Sequence, residues 1–168
     1  YGYVILPGVG SFSKGIDFLK NNFFLDQLNK HVEKGNYLMG VCLGCQLLLD
    51  NSSENGSYEG LSLIQGKVRK IVPEDKLKIP NVGWSKLIIE NQKSHLVFKD
   101  IKNEEYFYFT HSYVCHPSNT SNIIANIEYG SQHLTAAIQK DNVYGFQFHP
   151  ELSGNFGKKI YLNFVNLS

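Results

Sequence analysis

The sequence predicts an α/β fold with a mixed, mainly parallel sheet, flanking helices and antiparallel additions. Its first part alternates strand, helix, strand and helix, a pattern that favours parallel strands joined by right-handed crossovers. Its second part holds strand-like runs separated by turn residues, which favours antiparallel strands beside the parallel core. With 168 residues, 42% of them hydrophobic, the chain has the size of one domain, and we assign residues 1–168 to it.

The first half contains the predicted parallel strands. Residues 4–6 form a short aliphatic run that stops at a glycine-rich turn, 7–10, after which we expect an exposed loop. An amphipathic helix that ends near Gly35 is predicted from the spacing of Leu25, Leu28 and Val32. A second buried strand covers residues 37–41 and runs directly into Cys42 and a helical stretch.

The second half is predicted to add mostly antiparallel structure. Its strand-like runs are residues 67–71, 84–89, 106–110, 123–127, 135–138 and 143–148. Asp141 and Asn142 are predicted to form a hairpin turn between the last two runs. Ser153 is the predicted N-cap of a final helix, which places Phe156, Ile160 and Phe164 on one face.

Charge and cysteine content exclude several function classes. The net charge is +1 and the two signs are interspersed, which argues against a nucleic-acid or membrane-surface partner. No apolar run is long enough for a membrane span, and no leader-like pattern is present, so we expect a cytoplasmic protein. Three cysteines do not make a disulfide framework, and we interpret them as reduced thiols.

The strongest local signal is Cys42, at the break between an apolar strand and a helix. Gly40 and Gly44 flank it and leave the room that a strand-to-helix elbow needs. Because a helix N-terminus favours negative charge, we expect a lowered pKa for this thiol. The backbone N–H of Leu43 would then face a developing oxyanion. The residues alone leave open that Cys42 is an ordinary buried cysteine.

A matching base and acid follow near the end of the chain. In an extended segment residues two apart face the same way, so His149 and Glu151 are predicted to line up as a base and its orienting carboxylate. A thiol, an imidazole and an acid together suit acyl transfer. His-Pro-Glu alone is a weak signal, and its pairing with the elbow is what favours catalysis.

Two other uses of the cysteines remain as alternatives. Cys42, Cys45, Cys115 and His116 could supply four zinc ligands, but an adjacent Cys-His pair suits a tetrahedral site poorly. A redox dithiol of Cys42 and Cys45 is also possible, although nothing else in the sequence demands one. We therefore expect no metal and no cofactor.

The glycine-rich turn at 7–10 has a plain structural interpretation and a functional one. It lacks the lysine and hydroxyl pair of a phosphate loop and has too few glycines for a dinucleotide fingerprint. Beside an elbow cysteine, however, such a strand end would present a second oxyanion donor.

These residues resemble the class I (triad-type) glutamine amidotransferases, most closely the glutaminase subunits of imidazole glycerol phosphate synthase. The resemblance covers nearly the whole chain and includes LPGVG (6–10), GVCLGCQLL (40–48), PNVGW (80–84), YFYFTHSY (106–113) and GFQFHPE (145–151). It implies a flavodoxin-like fold. The first strand and helix of the family precede the point where this sequence begins, so we expect a domain without them.

The resemblance also implies roles for individual residues. Cys42 would attack the side-chain amide of L-glutamine, His149 would carry the proton to ammonia, and Glu151 would orient His149. Residues expected to contact the substrate are Val9, Gly10 and Leu43 in an oxyanion hole, Gln46 and Glu54 as holding side chains, and His111, Ser112 and Tyr113 mainly through the backbone.

The partner that the resemblance implies is a (β/α)8-barrel synthase subunit that receives ammonia through a channel. Its acceptor is a phosphoribulosyl nucleotide, and its products serve histidine and purine metabolism. Ser85 and Leu152 depart from the usual asparagine and lysine, and Cys45 from a methionine. A paralogous barrel that amidates another acceptor, such as a surface-polysaccharide sugar, is therefore the alternative. A silent scaffold and a free-standing cysteine hydrolase are two further hypotheses.

Overall fold

A computed structural model describes residues 2–75, 77–91 and 94–168, and it contains helices and strands in the predicted alternation. The α-helices in this part of the chain are α1 (Phe12–Asn21), α2 (Phe24–Glu33), α3 (Leu43–Leu47) and α4 (Gly154–Phe164). The strands are β1 (Tyr3–Leu6), β2 (Tyr37–Val41), β3 (Asn51–Ser52), β4 (Tyr58–Glu59), β5 (Gly66–Lys70), β6 (Asn81–Lys86), β7 (Ile88–Ile89), β8 (Tyr106–His111), β9 (Tyr113–Pro117), β10 (Ile123–Tyr129), β11 (Gln132–Lys140) and β12 (Val143–Phe146).

The largest sheet has the strand order β1-β2-β12-β11-β10-β7. Strand β2 pairs in parallel with β1 and with β12, whereas the other three pairings are antiparallel. The predicted mixed sheet with flanking helices is thus confirmed. The expected majority of parallel pairs is not found among the described strands, because the hairpins β10–β11 and β11–β12 extend the sheet by antiparallel pairing.

The described residues also form two smaller sheets. One has the order β4-β3-β5-β9, and the other pairs β6 with β8. The chain passes from β8 to β9 through Ser112, so residues at this junction lie where the two smaller sheets meet. This junction faces the carboxyl end of β2, as the cavity described below shows.

The core has one part on each face of the largest sheet. Because side chains alternate along a strand, Leu38 packs with the cluster under α1 and α3, while Met39 packs with the cluster that includes Phe164 of α4. Both residues are fully buried. Burial of both faces explains why β2 reads as a continuous apolar run.

The structure differs from the prediction in several elements. The expected exposed loop after residue 10 is wrong: α1 occupies it and buries Phe12, Ile16 and Leu19 at helical spacing. Gly15 lies within this run, and a glycine weakens the helical signal of a sequence. The predicted run 84–89 is divided between β6, which pairs with β8, and β7, which pairs with β10. Strands β3, β4 and β9 were not predicted.

Ser153 occupies the predicted N-cap position of α4, but its side chain makes no capping hydrogen bond. Its hydroxyl is bonded elsewhere, as described with the site. The predicted turn at Asp141 is confirmed: this residue has a φ of 51° and joins β11 to β12.

Gly44 allows α3 to lie against the end of β1, and we expect Gly44→Ala to destabilise the protein strongly. A Cβ there would lie 1.8 Å from the carbonyl oxygen of Leu6, a backbone atom that moves only if β1 moves. Overpacking of this kind costs about 3 kcal/mol. The free energy of unfolding, measured by urea titration, tests this. Gly2→Ala is the matched control, because no heavy atom lies within 4 Å of its added Cβ; equal stability of the two variants would contradict the prediction.

Candidate active site

Cys42 stands at a sharp elbow between β2 and α3. Its backbone has φ 53° and ψ −109°, a conformation that is unusual for any residue except glycine. Its N–H donates to the carbonyl of Phe146 at 2.8 Å, which fixes the elbow to the end of β12. The cysteine is 8% exposed. This strained and anchored geometry is typical of a nucleophile elbow.

The sulfur lies on the wall of a cavity of about 320 Å³ at the carboxyl ends of β2 and β12. The lining residues are Val9, Gly10, Cys42, Leu43, Gln46, Glu54, Pro80, Thr110, His111, Ser112, Tyr113 and His149. All the residues predicted to contact substrate are therefore brought together with two of the three predicted catalytic residues. Glu151 stands behind His149, outside this lining.

His149 and Glu151 are paired as the sequence predicts. Nδ1 of His149 lies 2.7 Å from Oε1 of Glu151. Because a carboxylate accepts, this contact places the imidazole proton on Nδ1 and leaves Nε2 as a bare lone pair. Nε2 is buried and has no hydrogen-bond partner within residues 2–75, 77–91 and 94–168. A buried nitrogen of this kind is available as a base.

The segment that carries His149 is tied to β8 by two hydrogen bonds, and a third bond within the segment supports them. The N–H of His149 donates to the carbonyl of Tyr108 at 2.9 Å. The hydroxyl of Ser153 donates to the carbonyl of His149 at 2.6 Å and accepts from the N–H of Tyr108 at 3.0 Å. On the far side, Tyr161 of α4 donates to Oε2 of Glu151 at 3.2 Å. The base and its carboxylate are thus held from both sides.

The expected low pKa of Cys42 is wrong. Burial raises the pKa of this thiol to about 11, and the negative charge of Glu151 adds to the effect. The N–H of Leu43 and the amide of Gln147 oppose the shift but do not overcome it. Because α3 has five residues and the sulfur is almost out of water, desolvation exceeds the stabilisation from the helix end. The resting sulfur is a neutral thiol.

The N–H of Leu43, an expected oxyanion donor, is engaged in this conformation. It donates to the carbonyl of Gly8 at 3.3 Å. Gly10, in the same strand end, has a φ of 103°, which is readily available only to glycine. The glycine-rich turn and the N–H of Leu43, the two expected parts of the oxyanion hole, therefore lie in contact. The carbonyl of Gly8 in the turn faces the N–H of Leu43.

Gln46 and Glu54 are each fixed by backbone groups. Nε2 of Gln46 donates to the carbonyl of Tyr113 at 3.1 Å. Oε2 of Glu54 accepts from the N–H of Phe12 at 2.7 Å, so this carboxylate binds the first residue of α1. The side chains that line the cavity are thus positioned before any ligand binds.

His111 is fixed in one tautomer. Nδ1 lies 2.8 Å from the carbonyl of Tyr113 and donates to it, so Nε2 accepts from Nδ2 of Asn81 at 3.1 Å. Burial and, to a smaller extent, nearby His149 lower the pKa of His111 to about 4, although the hydrogen bond to Tyr113 opposes the shift. The ring is neutral at physiological pH and lies beside the base.

Sequence reasoning missed two polar residues of this site, Asn81 and Gln147. Both are buried, and they contact His111 and Cys42 respectively. A signal was present: Gln147 is the one amide within the aromatic run 146–148, where an unpaired amide would be costly.

The residues of the zinc and dithiol alternatives do not come together at one site. Sγ of Cys45 and Sγ of Cys115 lie 3.7 Å apart in the core, whereas His116 points outward from β9 because neighbours on a strand face opposite sides. Within the described ranges no three His, Cys, Asp or Glu side chains are placed to hold a metal ion.

No helix in that same part of the chain is long and apolar enough to cross a membrane.

Comparison with known proteins decides the family. Residues 1–167 match the family described as glutamine amidotransferase class-I. The chain belongs to this family. The predicted family is therefore confirmed over nearly the whole sequence.

Curated relatives narrow the similarity. The chain is 40% identical over 162 residues to imidazole glycerol phosphate synthase subunit HisH of Chlorobium luteolum. The aligned region covers 96% of this chain and 79% of that protein. It is 38% identical over 167 residues to the protein of the same name from Chlorobium chlorochromatii, with 99% and 82% covered. The HisH protein of Synechocystis is 43% identical over 162 residues, with 96% and 76% covered.

Solved structures support the fold. A crystal structure of a glutamine amidotransferase superposes with a TM-score of 0.71 at 18% identity and covers 99% of this chain and 80% of that one. A chain of PurLQS from Thermotoga maritima gives a TM-score of 0.70 at 22% identity, with 99% and 79% covered. These likenesses concern the chain path, which includes the mixed sheet described above.

His111 makes stability depend on pH. Its folded pKa, about 4, lies below the ordinary value of 6.5, so the unfolded state binds the proton first as the pH falls. The contribution of His111 to the free energy of unfolding is fully present above pH 6.5. It falls by up to about 3 kcal/mol as the pH is lowered towards 4. Urea unfolding of wild type and His111→Gln between pH 7 and 4.5 measures it, and we expect a flatter profile in the variant. Parallel profiles would contradict this; exposed His133→Gln is the control.

Ser153→Ala tests the attachment of His149 to β8. The change leaves the N–H of Tyr108 without its buried acceptor and removes a bond to the carbonyl of His149. We expect a loss of about 2 kcal/mol in the free energy of unfolding. Ser131→Ala is the control, because its hydroxyl donates to Glu74 at the exposed surface, where such a loss is about 0.5 kcal/mol or less. Equal losses would show that the buried bonds add nothing.

Proposed function

We propose that this chain is the glutaminase subunit of an imidazole glycerol phosphate synthase and hydrolyses L-glutamine with Cys42, His149 and Glu151. One observation carries the proposal: the buried Nε2 of His149, fixed as an acceptor by Glu151, has no partner among the described residues and lines the same cavity as Cys42. The similarity to HisH proteins over 96% of the chain gives independent support.

The reaction follows from the tautomer. Nε2 of His149 takes the proton of the Cys42 thiol, and the sulfur attacks the carbonyl carbon of the glutamine side chain. The resulting imidazolium is stabilised by Glu151. It returns the proton to the amide nitrogen, and ammonia leaves a glutamyl thioester. Water, deprotonated by the same imidazole, then attacks the thioester, which releases glutamate and restores the thiol.

The resting geometry restrains this reaction. A neutral thiol with a pKa of about 11 is a poor nucleophile, and the N–H of Leu43 is bonded to the carbonyl of Gly8. Rotation of the peptide between Gly8 and Val9 would remove that carbonyl and turn an N–H towards the cavity, because the two groups lie on opposite sides of a peptide plane. Two donors would then face the oxyanion, and each such donor lowers the barrier by about 3 kcal/mol.

Glutamine recognition uses the fixed walls of the cavity. The carboxylate of Glu54 suits the α-ammonium group of the substrate, and the backbone between His111 and Tyr113 suits its polar groups. Gln46 is 6% exposed and already donates to the carbonyl of Tyr113. Its side chain therefore forms a fixed part of the cavity wall and does not move to meet the ligand. No metal or cofactor enters the reaction that we propose.

The partner in our proposal is a (β/α)8-barrel synthase subunit. Three apolar side chains are each more than half exposed: Val82 and Trp84 lie on β6, and Leu152 follows the His-Pro-Glu segment. Exposed apolar side chains that lie together are typical of a protein interface. Ammonia would pass to the barrel and react with a phosphoribulosyl nucleotide to give imidazole glycerol phosphate and an aminoimidazole carboxamide nucleotide.

The alternative acceptor remains as the second candidate, for one reason. Leu152 replaces a charge that the family usually carries, and it is exposed beside the triad. A paralogous barrel with an apolar counterpart would fit this surface. The glutaminase chemistry is the same in both cases, and the difference lies in what the partner binds.

Ammonia release from L-glutamine tests the proposal. We expect little activity from the purified chain alone, because the thiol is neutral and the N–H of Leu43 is engaged, and a large rise with the barrel subunit and the phosphoribulosyl nucleotide. Cys42→Ser and His149→Gln are expected to lower the activated rate at least roughly 1,000-fold. Cys115→Ala is the matched control, since Cys115 is a buried cysteine outside the cavity lining.

The outcomes separate the hypotheses. Activation by the barrel without an effect of the nucleotide would support the alternative acceptor. Turnover by the chain alone at the activated rate would support a free-standing hydrolase. Wild-type activity in Cys42→Ser would overturn the catalytic assignment, and silence under every condition would favour a scaffold.

A further inference from the structure

Gln147 is a polar side chain in an apolar place. It is 1% exposed and follows β12, and both aromatic neighbours, Phe146 and Phe148, are fully buried. Its backbone N–H donates to the carbonyl of Ala136 at 2.9 Å, so the segment continues along β11 and the side chain has a fixed origin. Burial of an amide among aromatic rings is costly unless its polar atoms are bonded.

Both polar ends of this amide are bonded, and they join two residues of the cavity. Oε1 of Gln147 accepts from Nε2 of Gln46 at 3.0 Å. Nε2 of Gln147 donates to Sγ of Cys42 at 3.8 Å, within the range of a hydrogen bond to sulfur. A continuous chain of donors therefore runs from Gln46 through Gln147 to the sulfur of the elbow.

The direction of this chain is set at its far end. The carbonyl of Tyr113 can only accept, so Gln46 must present its NH₂ group there. The second N–H of the same group meets Gln147, which must accept with Oε1. The NH₂ group of Gln147 is then left facing Cys42, so a flip of either amide would bring two donors or two acceptors together.

We propose that Gln147 is a positioning residue that donates a hydrogen bond to the Cys42 thiolate, in an orientation enforced by Gln46 and the carbonyl of Tyr113. The role rests on the proposed glutaminase function in so far as the thiolate is the attacking and departing species. When Nε2 of His149 takes the thiol proton, the negative charge forms on an atom that already faces an N–H. When the thioester is hydrolysed, the same donor receives the departing sulfur.

The charges around the sulfur give this donor its importance. Burial and the carboxylate of Glu151 raise the pKa of Cys42, while the N–H of Leu43 and the amide of Gln147 lower it. The Leu43 donor is shared with the carbonyl of Gly8. Cys115 raises the pKa of Cys42 further, and the pKa of Cys45 is itself raised by burial. Gln147 is therefore the side chain that favours the charged sulfur from within the core.

Alkylation of Cys42 by iodoacetamide in the purified chain tests the proposal. Gln147→Met keeps the length of the side chain and removes the donor. A rise of one pKa unit lowers the thiolate fraction about tenfold at a given pH, and the greater nucleophilicity of the more basic sulfur returns about threefold of this. We expect Cys42, followed by peptide mass spectrometry between pH 7 and 9.5, to react about threefold more slowly throughout.

A merely structural role gives the opposite sign. A loosened core would expose all three cysteines and make Cys42, Cys45 and Cys115 react faster. Gln139→Met is the matched control, because this half-buried glutamine also bonds two side chains, Tyr144 and His95, at the other end of the sheet. Its Cys42 rate is expected to equal that of wild type. An unchanged or faster Cys42 rate in Gln147→Met would overturn the proposal.

Gln46→Met provides a second route to the same result. It leaves the Gln147 amide in place but removes the donor that fixes its orientation, so Cys42 is again expected to react more slowly, by a smaller factor. This variant carries the test if Gln147→Met fails to fold, and an unchanged rate in it would overturn the enforced orientation. Neither measurement needs glutamine, nucleotide or a partner, so failure of the proposed function and failure of this inference are distinguishable.

Discussion

The backbone of Cys42 is the constraint on which the rest of the site depends. A non-glycine residue at positive φ is held there only if its surroundings determine it from several sides. Here they include the bond from its N–H to β12, the parallel pairing of β2 with both neighbours, and the close contact of Gly44 with the end of β1. The sheet is therefore the means by which one sulfur atom is placed at the mouth of a cavity.

The cavity shows that position and reactivity are set by different features. The sheet positions the sulfur, but its burial makes the thiol neutral. The same burial leaves Nε2 of His149 as a bare acceptor. A neutral thiol and an unpaired imidazole nitrogen are thus two results of the same burial, and in such surroundings a small movement of backbone donors has a large electrostatic effect.

Much of this arrangement was predictable because it is encoded by neighbouring residues. The elbow, the His-Pro-Glu pair and the buried strands are local patterns, and the glycine-rich turn was correctly placed beside the cysteine. What the sequence could not give depends on contacts distant along the chain. The pKa of Cys42 reflects burial by the whole fold, and the role of Ser153 reflects Tyr108, 45 residues away. Helix α1 was missed because Gly15 interrupts its pattern, although Phe12, Ile16 and Leu19 keep the helical spacing.

Glu54 has a consequence for the size of ligand that the cavity selects. One oxygen of its carboxylate is bound to the first peptide N–H of α1, so the position of this anion is set by a helix and not by rotation of its own side chain. Cys42 lines the same cavity, and the bond from its N–H to the carbonyl of Phe146 fixes its backbone. The backbone therefore sets the distance between the Glu54 carboxylate and the Cys42 sulfur. An amino acid shorter by one methylene could not reach both groups at once. Under the proposed glutaminase function, such a mismatch would disfavour the shorter homologue by about 1–3 kcal/mol, and the scaffold itself would then discriminate between glutamine and asparagine.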